Sequence, residues 1–222
     1  MGVALGYEQR REMLIERDLK RAGITDKSVL RAFREVPRHE FVLPEHRDAA
    51  YEDRPLPIGR GQVITQPTLV AAMTQALGLR GNEKVLEVGT GSGFQAAILA
   101  RLGRKVYTIE RIDVLAERAR QVLDRLGYVN VRVIVGDGTL GLPEEAPFDA
   151  IMVTAAAPSL SNPLIEQMNE GGRMVIPMGL DPGTQMVKLI TKKGGKLHIR
   201  DIEWAHFVLL IGEHGWPVEP AP

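Results

Sequence analysis

Apolar side chains at Leu14, Ile15, Leu19, Ala22, Val29, Leu30 and Phe33 recur at spacings of three, four and seven, with charges between them. That is the stripe of amphipathic helices. Residues 7 to 36 read as two of them, with Gly23 ending the first and Thr25 or Asp26 capping the second. The period is lost from Pro37 to Gly61, where Pro37, Pro44, Pro55, Pro57, Gly59 and Gly61 interrupt any long helix. Phe41, Val42, Tyr51, Leu56 and Ile58 supply too many apolar anchors for disorder. An ordered stretch of loop and short strand is expected there, and its length points to a functional lid or wall.

Helical spacing returns after Pro67 with Leu69, Val70, Met73 and Leu77, and stops at Gly78. The pattern then changes to short β-branched runs at 85 to 88, 106 to 109, 131 to 135, 150 to 153 and 174 to 176. Helical patterns at 94 to 102 and 112 to 126 separate the first three, which predicts crossover connections in a parallel sheet. Runs from Met186 to Ile190 and from Leu197 to Ile202, joined by Lys192-Lys193-Gly194-Gly195, predict a hairpin at an antiparallel edge. The expected fold is therefore α/β: a doubly wound, Rossmann-like, mostly parallel sheet with an antiparallel C-terminal edge hairpin and N-terminal helices. Residues 1–222 are read as one domain, with 1–66 as a helical and loop extension forming part of a substrate site and 67–222 as the cofactor-binding core.

Composition narrows the chemistry. The 222 residues hold 28 Lys+Arg against 28 Asp+Glu, so no uniform basic field exists to hold a phosphate backbone or an anionic membrane. No nucleic-acid and no membrane partner is expected. With no Cys there is no disulfide, thiol nucleophile or cysteine metal site, and the five His show no ligand spacing, so no metal is expected. Residues 1 to 12 lack a basic start followed by an apolar stretch, and the expected address is the cytoplasm.

Candidate chemistry begins at Glu87-Val88-Gly89-Thr90-Gly91-Ser92-Gly93, which follows a predicted strand and opens a predicted helix. A glycine-rich turn in that setting lets backbone approach a ligand. A tight turn that binds nothing is the alternative, and three alternate glycines make it the weaker one. The dinucleotide fingerprint wants G-x-G-x-x-G, whereas Phe94 stands at the third glycine. NAD is disfavoured on that ground and left open. Glu110, closing the second strand of the parallel series, can accept both hydroxyls of a ribose. Glu87 lies where a dinucleotide would bring its pyrophosphate, an unfavourable pairing of like charges, whereas S-adenosyl-L-methionine carries an ammonium and a sulfonium. Asp137, in Gly136-Asp137-Gly138, is placed to accept from an adenine amino group, with Gly138 letting the ring approach.

Glu87 to Gly93, Glu110, Gly136 to Gly138, Phe148-Asp149-Ala150-Ile151 and Gly171-Gly172-Arg173-Met174-Val175 resemble the successive motifs of class I S-adenosylmethionine-dependent methyltransferases. Three segments outside the sheet are more specific: Val36-Pro37-Arg38-His39-Glu40-Phe41-Val42, Ala50 to Gly59, and Gly61-Gln62-Val63-Ile64-Thr65-Gln66-Pro67. They closely resemble the protein-L-isoaspartate O-methyltransferase family, and the likeness runs from about residue 10 to 210. The resemblance implies a cofactor set of Glu87, Gly89, Thr90, Gly91, Ser92, Gly93, Glu110, Arg111, Asp137 and Gly138. It implies a substrate side of Ile64, Thr65, Gln66, Pro67 and Val208, with Thr65 as the catalytic position. The chain departs from the family pattern in having Thr65 for the usual Ser, Thr68 where an aromatic or His is common, and Leu209 and Ile211 where Pro and Thr are usual.

The implied reaction is in-line attack by the free α-carboxylate of an isoaspartyl residue on the sulfonium methyl. It gives a methyl ester and S-adenosyl-L-homocysteine and initiates repair of damaged proteins and peptides. A carboxylate with a pKa near 4 is already ionised at neutral pH and needs no general base, so none of His39, His46, His198, His206 and His214 is required. Thr65 is read as a positioner, with a helix cap as its plain alternative. Met73, Met152, Met174, Met178 and Met186 are read as core, and Lys192 and Lys193 as a solvated hairpin tip; Trp204 is read as interior and Trp216 as a frayed tail, with a peptide groove lined by both as the less favoured alternative. A monomer acting on isoaspartyl proteins and peptides is expected. Two alternatives stand beside it: a class I methyltransferase for another carboxylate or small molecule, and a cofactor-binding module without catalysis.

Overall fold

The computed structural model describes residues 5–181 and 183–217; the reading of residues 1 to 4 lies outside them. Helix α1 (Tyr7–Leu14) continues into a π-type turn at Ile15–Leu19, and α2 spans Lys27–Glu35. Between them Gly23 adopts a left-handed conformation with φ 85°. Asp26, not Thr25, caps α2, its carboxylate accepting from the amides of Ser28 and Val29. Short 3-10 turns at Arg38–Glu40 and Pro44–Ala49 lead to an antiparallel hairpin, β1 (Leu56–Gly59) with β2 (Gln62–Ile64). Helix α3 (Pro67–Leu77) starts on its proline and ends at left-handed Gly78.

The α/β core follows as β3 (Lys84–Val88), α4 (Phe94–Leu102), β4 (Lys105–Glu110), α5 (Asp113–Arg125), β5 (Val131–Val135), β6 (Phe148–Val153), α6 (Asn162–Glu166), β7 (Met168–Met178), β8 (Gln185–Lys193) and β9 (Lys196–Ala205). The sheet order is β5-β4-β3-β6-β7-β8-β9. The first five strands in that order are parallel and the last two antiparallel, the doubly wound architecture expected from the alternation of patterns.

Both faces of the sheet are covered, which is why its central strands read as nearly unbroken apolar runs. Val85, Val106, Ala150, Met152 and Val175 pack beneath Leu69, Met73 and Leu77 of α3. Leu86, Val88, Ile151 and Val153 face the other way, against Leu142 and Leu164. The N-terminal helices pack outside α4, with Phe33 and Phe41 both edge-on to Phe94. Chain order reverses at β3, where β4 and β5 lie to one side and β6 and β7 to the other. Open α/β sheets leave a crevice at the carboxyl end of such a switch point.

Four expectations are corrected. The C-terminal hairpin turns on Gly194-Gly195 alone, because β8 runs through Lys193 and β9 begins at Lys196. Lys192 is pinned, not solvated, its Nζ donating to the carbonyls of Ile165 and Met168. Trp204 is 66% exposed on the edge strand, not interior, since β9 has no strand on its outer side. Met178 and Met186 are half-buried, whereas Met73, Met152 and Met174 are core. Among the described residues no helix is long and apolar enough to cross a membrane, and no group of three or more His, Asp or Glu is placed to hold a metal.

Candidate active site

A cavity of about 690 Å³ opens over the carboxyl ends of β3 and β4, within the usual range for a small-molecule site. The glycine loop forms its floor. Gly89 has φ 96°, and a Cβ there would collide with the Thr154 hydroxyl, which donates to the carbonyls of Gly89 (2.6 Å) and Val88 (3.0 Å). Glycine is required for the turn and for that contact. Gly138 has a packing reason beside the one expected: a Cβ would strike the Val88 side chain.

Glu110 is 7% exposed and lines the cavity. Its carboxylate accepts from the Gly91 amide at 2.9 Å and the Ile112 amide at 3.0 Å. Two oxygens, each holding one backbone donor, keep further lone pairs free for a ligand. Arg111 and Gly138 also line it, as do Thr90, Gly91 and Ser92.

Glu87 lies deeper than the sequence implied, 0% exposed behind the cavity floor. One oxygen accepts from the Thr108 hydroxyl, which is 2.6 Å from that of Thr90. The other, Oε1, is buried without a hydrogen-bond partner among the described residues. Burial pushes the carboxyl up to about 8, against the Thr108 bond and with the help of the negative charge of Glu110. A buried acceptor left open beside a second carboxylate suits a ligand that brings a positive charge or a donor, and opposes a phosphate.

This burial has a consequence for stability. The folded pKa of Glu87 lies above the ordinary value of 4.5, so the stability carried by its neutral form is complete below pH 4.5 and is lost as the pH rises through about 8. Thermal melts of the ligand-free protein from pH 4.5 to 8 are expected to fall more steeply than those of Glu87→Gln. Parallel profiles would refute the buried, uncompensated carboxyl.

Asp137 is placed differently from expectation. Its carboxylate accepts from the Thr139 amide (2.9 Å) and hydroxyl (2.7 Å) and from the Glu213 amide (2.8 Å). Burial pushes it up, but the Glu213 amide and both Thr139 donors hold it below its ordinary range. It caps the turn Gly138–Leu140 and ties down the C-terminal segment. Outside the main cavity, it borders a shallower depression with Leu140, Leu142 and Gln167.

The opposite wall comes from two distant segments. Ile64 and Thr65 follow the β1–β2 hairpin, and Phe207 to Ile211 return over the sheet. The return is held by backbone bonds from Ala156 to Val208, from Leu210 to Ala156 and from Trp216 to Leu210. Thr65 is half-buried. It does not cap α3: Gln66 holds the cap position, and the carboxylate of Asp53 takes the Thr68 amide (2.9 Å) and hydroxyl (2.8 Å). The Thr65 hydroxyl is thus not spent on the helix. Behind it lies Arg38, 1% exposed, whose pKa is pulled down to about 9 by burial against the opposing charges of Asp53 and Tyr51.

The cavity therefore gathers Ile64, Thr65, Gly89, Thr90, Gly91, Ser92, Glu110, Arg111, Gly138 and Val208. Glu87, Gly93, Asp137, Gln66 and Pro67 stand outside its lining: Gly93 precedes α4, and Gln66 and Pro67 start α3. Thr154 and Met73 line it without having been singled out for it, and Trp216 lines it as the groove alternative allowed, whereas Trp204 does not. Thr154 directly follows β6, and the rule that selected Glu110 selects it equally. Trp216 is no frayed tail: its indole N–H donates to the Ala156 carbonyl at 3.1 Å. No local signal marks it, because its partner lies 60 residues away.

The family model of protein-L-isoaspartate(D-aspartate) O-methyltransferase matches residues 9–215. A protein-L-isoaspartate O-methyltransferase of Methanoculleus marisnigri is 49% identical over 214 residues, covering 96% of this chain and 97% of its own length. One from Dictyoglomus turgidum is 52% identical over 210 residues, covering 95% and 94%. A solved protein-L-isoaspartate O-methyltransferase superposes with a TM-score of 0.83 at 33% identity, over 92% of this chain and 67% of that one. A Plasmodium falciparum structure, described as a protein-L-isoaspartate O-methyltransferase in complex with S-adenosyl-L-homocysteine, shares the fold with a TM-score of 0.80 at 24% identity, over 94% and 99%.

Proposed function

The chain belongs to the protein-L-isoaspartate(D-aspartate) O-methyltransferase family, and from that premise we propose how its residues share the work. The activity is transfer of a methyl group from S-adenosyl-L-methionine to the free α-carboxylate of isoaspartyl residues in proteins and peptides. The cofactor, when bound, supplies a methyl on a positively charged sulfur. What supports the assignment of roles is a single feature: one cavity joins the glycine loop and Glu110 to Ile64, Thr65 and Phe207 to Ile211.

In this reading Glu110 accepts the ribose hydroxyls. The loop from Gly89 to Gly93 carries the aminoacyl end, and Glu87, buried behind that loop, favours its cationic group electrostatically. Arg111 and Gly138 flank the adenosine. Asp137, already holding three donors, retains one lone-pair direction for the adenine amino group and chiefly anchors the C-terminal wall. Thr65 aims the acceptor carboxylate, with Ile64 and Val208 as its neighbours; Gln66 and Pro67 serve by fixing the start of α3. Residues 1–66 complete the substrate side of a single domain whose core is 67–222, and the enzyme acts as a cytoplasmic monomer.

The acceptor is already ionised, so these side chains have no proton to remove. Their contribution is alignment and exclusion of water from a reaction in which opposite charges neutralise. Replacing Thr65 by Val keeps its shape and deletes the hydroxyl. Turnover on an isoaspartyl peptide is expected to fall roughly tenfold, the cost of one lost hydrogen bond, with S-adenosyl-L-homocysteine affinity unchanged by calorimetry. Thr65→Ser should stay active. A Val variant as fast as the parent would remove Thr65 from the mechanism.

A further inference from the structure

We propose that Arg38 is a positioning residue for methyl transfer: from inside the core, its guanidinium holds the Thr65 segment against the start of α4 and so sets the wall of the acceptor site relative to the cofactor loop. The inference rests on the role assigned above to Thr65. Arg38 is the only cation among the fully buried described residues. Its Nε donates to the Ala50 carbonyl at 2.9 Å, and its Nη2 to the Thr65 carbonyl at 2.8 Å. Its Cζ sits 4.8 Å from the centroid of the Phe94 ring, and Phe94 is the residue directly after Gly93.

These contacts are costly to build. Among the described residues no carboxylate forms an ion pair with Arg38, and its Nη1 is buried without a hydrogen-bond partner. A charged group desolvated without an ion-pair partner is a poor choice for filling space, which an apolar side chain of similar volume does better. What arginine adds is a flat fork with donors in fixed directions and a face that stacks on an aromatic ring. Here the fork spans two carbonyls 15 residues apart in the chain while the face rests on the first residue of α4. Lysine has the charge but not the fork.

Thr65 needs such support from outside. Its carbonyl is held by Arg38, and the chain beyond it is held by Asp53 at Thr68. With its carbonyl held, the peptide plane that follows Thr65 is fixed, which restricts where the residue can present its side chain along the cavity wall. Burial leaves the guanidinium with a pKa of about 9, so the fork is charged at neutral pH. Arg38 touches neither the cavity nor a reacting atom; it acts through Thr65.

The test is a double-mutant cycle of parent, Arg38→Lys, Thr65→Val and the double variant. Each is assayed for kcat and KM on one isoaspartyl peptide, for S-adenosyl-L-homocysteine affinity by calorimetry, and for thermal unfolding. Arg38→Lys is expected to lower kcat on the order of tenfold with cofactor affinity held within about twofold, and the double variant to be no slower than the slower single one. A structural role would instead multiply the two losses, and that result, with Thr65→Val itself impaired, overturns the inference alone. Full turnover by Thr65→Val overturns the Thr65 assignment and this inference with it. The same cycle with Arg38→Gln, which lacks the charge as well as the fork, covers the case in which the Lys variant does not fold. A fully active Gln variant also overturns the inference.

Discussion

Isoaspartyl peptides are expected to be methylated on the order of a hundredfold faster than the same peptides carrying Asp, because a misplacement of about 1 Å costs that much in rate. An isoaspartyl linkage inserts a methylene into the backbone and frees an α-carboxylate. A wall that aims this carboxylate at the methyl group misplaces a normal aspartyl side chain. The wall in question is held from several sides: Thr65 by Arg38 at its carbonyl, and Val208 and Leu210 by backbone bonds to Ala156. Because the acceptor must enter an enclosed site, flexible peptides are expected to outperform folded proteins. Ile211 brings no hydroxyl to this wall. Matched isoaspartyl and aspartyl peptides with labelled methyl donor provide the measurement. Equal rates, or no transfer to either despite good cofactor binding, would reject the substrate assignment and return the methyltransferase for another acceptor, or the non-catalytic module, to first place.

The second large effect concerns the cofactor. Glu110→Ala should weaken S-adenosyl-L-homocysteine binding by about 1–3 kcal/mol, the range for losing hydrogen bonds to a charged group. The carboxylate also holds the Gly91 and Ile112 amides, so its removal frees the floor of the site as well as deleting a ligand contact. Glu110→Gln keeps the side-chain length and an acceptor oxygen, and should lose less. Calorimetry on both variants, with thermal melts to show that they fold, separates the two contributions. An unchanged affinity for Glu110→Ala would place the ribose elsewhere.

Much of this architecture was legible in one dimension. Periodicity sets helices and strands because burial of a stripe or of alternate faces is a repeating requirement along the chain. The helices on either side of Gly23, the start of α3 at Pro67, the alternation from β3 to β5 and the C-terminal hairpin all followed from it. Glycine at 89 and an acid at the end of β4 were legible for a related reason, since a tight turn and a strand end are local events. The irregular stretch from Pro37 to Gly61 announced itself by breaking the period while keeping its apolar anchors, and its hairpin leads into the cavity wall at Gly61 to Thr65.

Partners were not legible. Two donors to the Asp137 carboxylate come from nearby Thr139, but the third is the amide of Glu213, 76 residues away, and Trp216 enters the cavity because the chain returns to pair with Leu210 and Ala156. Lys192 and Trp204 sit on the same hairpin, yet one is pinned to carbonyls and the other left in water, because only the first faces a neighbouring segment. Glu87 and Arg38 looked like any charged residues in sequence; that both are buried, each with an atom lacking a partner, depends on what the rest of the chain packs around them. By itself, then, the sequence determined the elements, their order and the glycine loop, since these answer to local geometry and repeating burial. Only the tertiary structure decided which carboxylates stay open, which charge stands behind Thr65 and which aromatic closes the site, since desolvation and hydrogen-bond capacity are settled by groups that meet only when distant segments fold together.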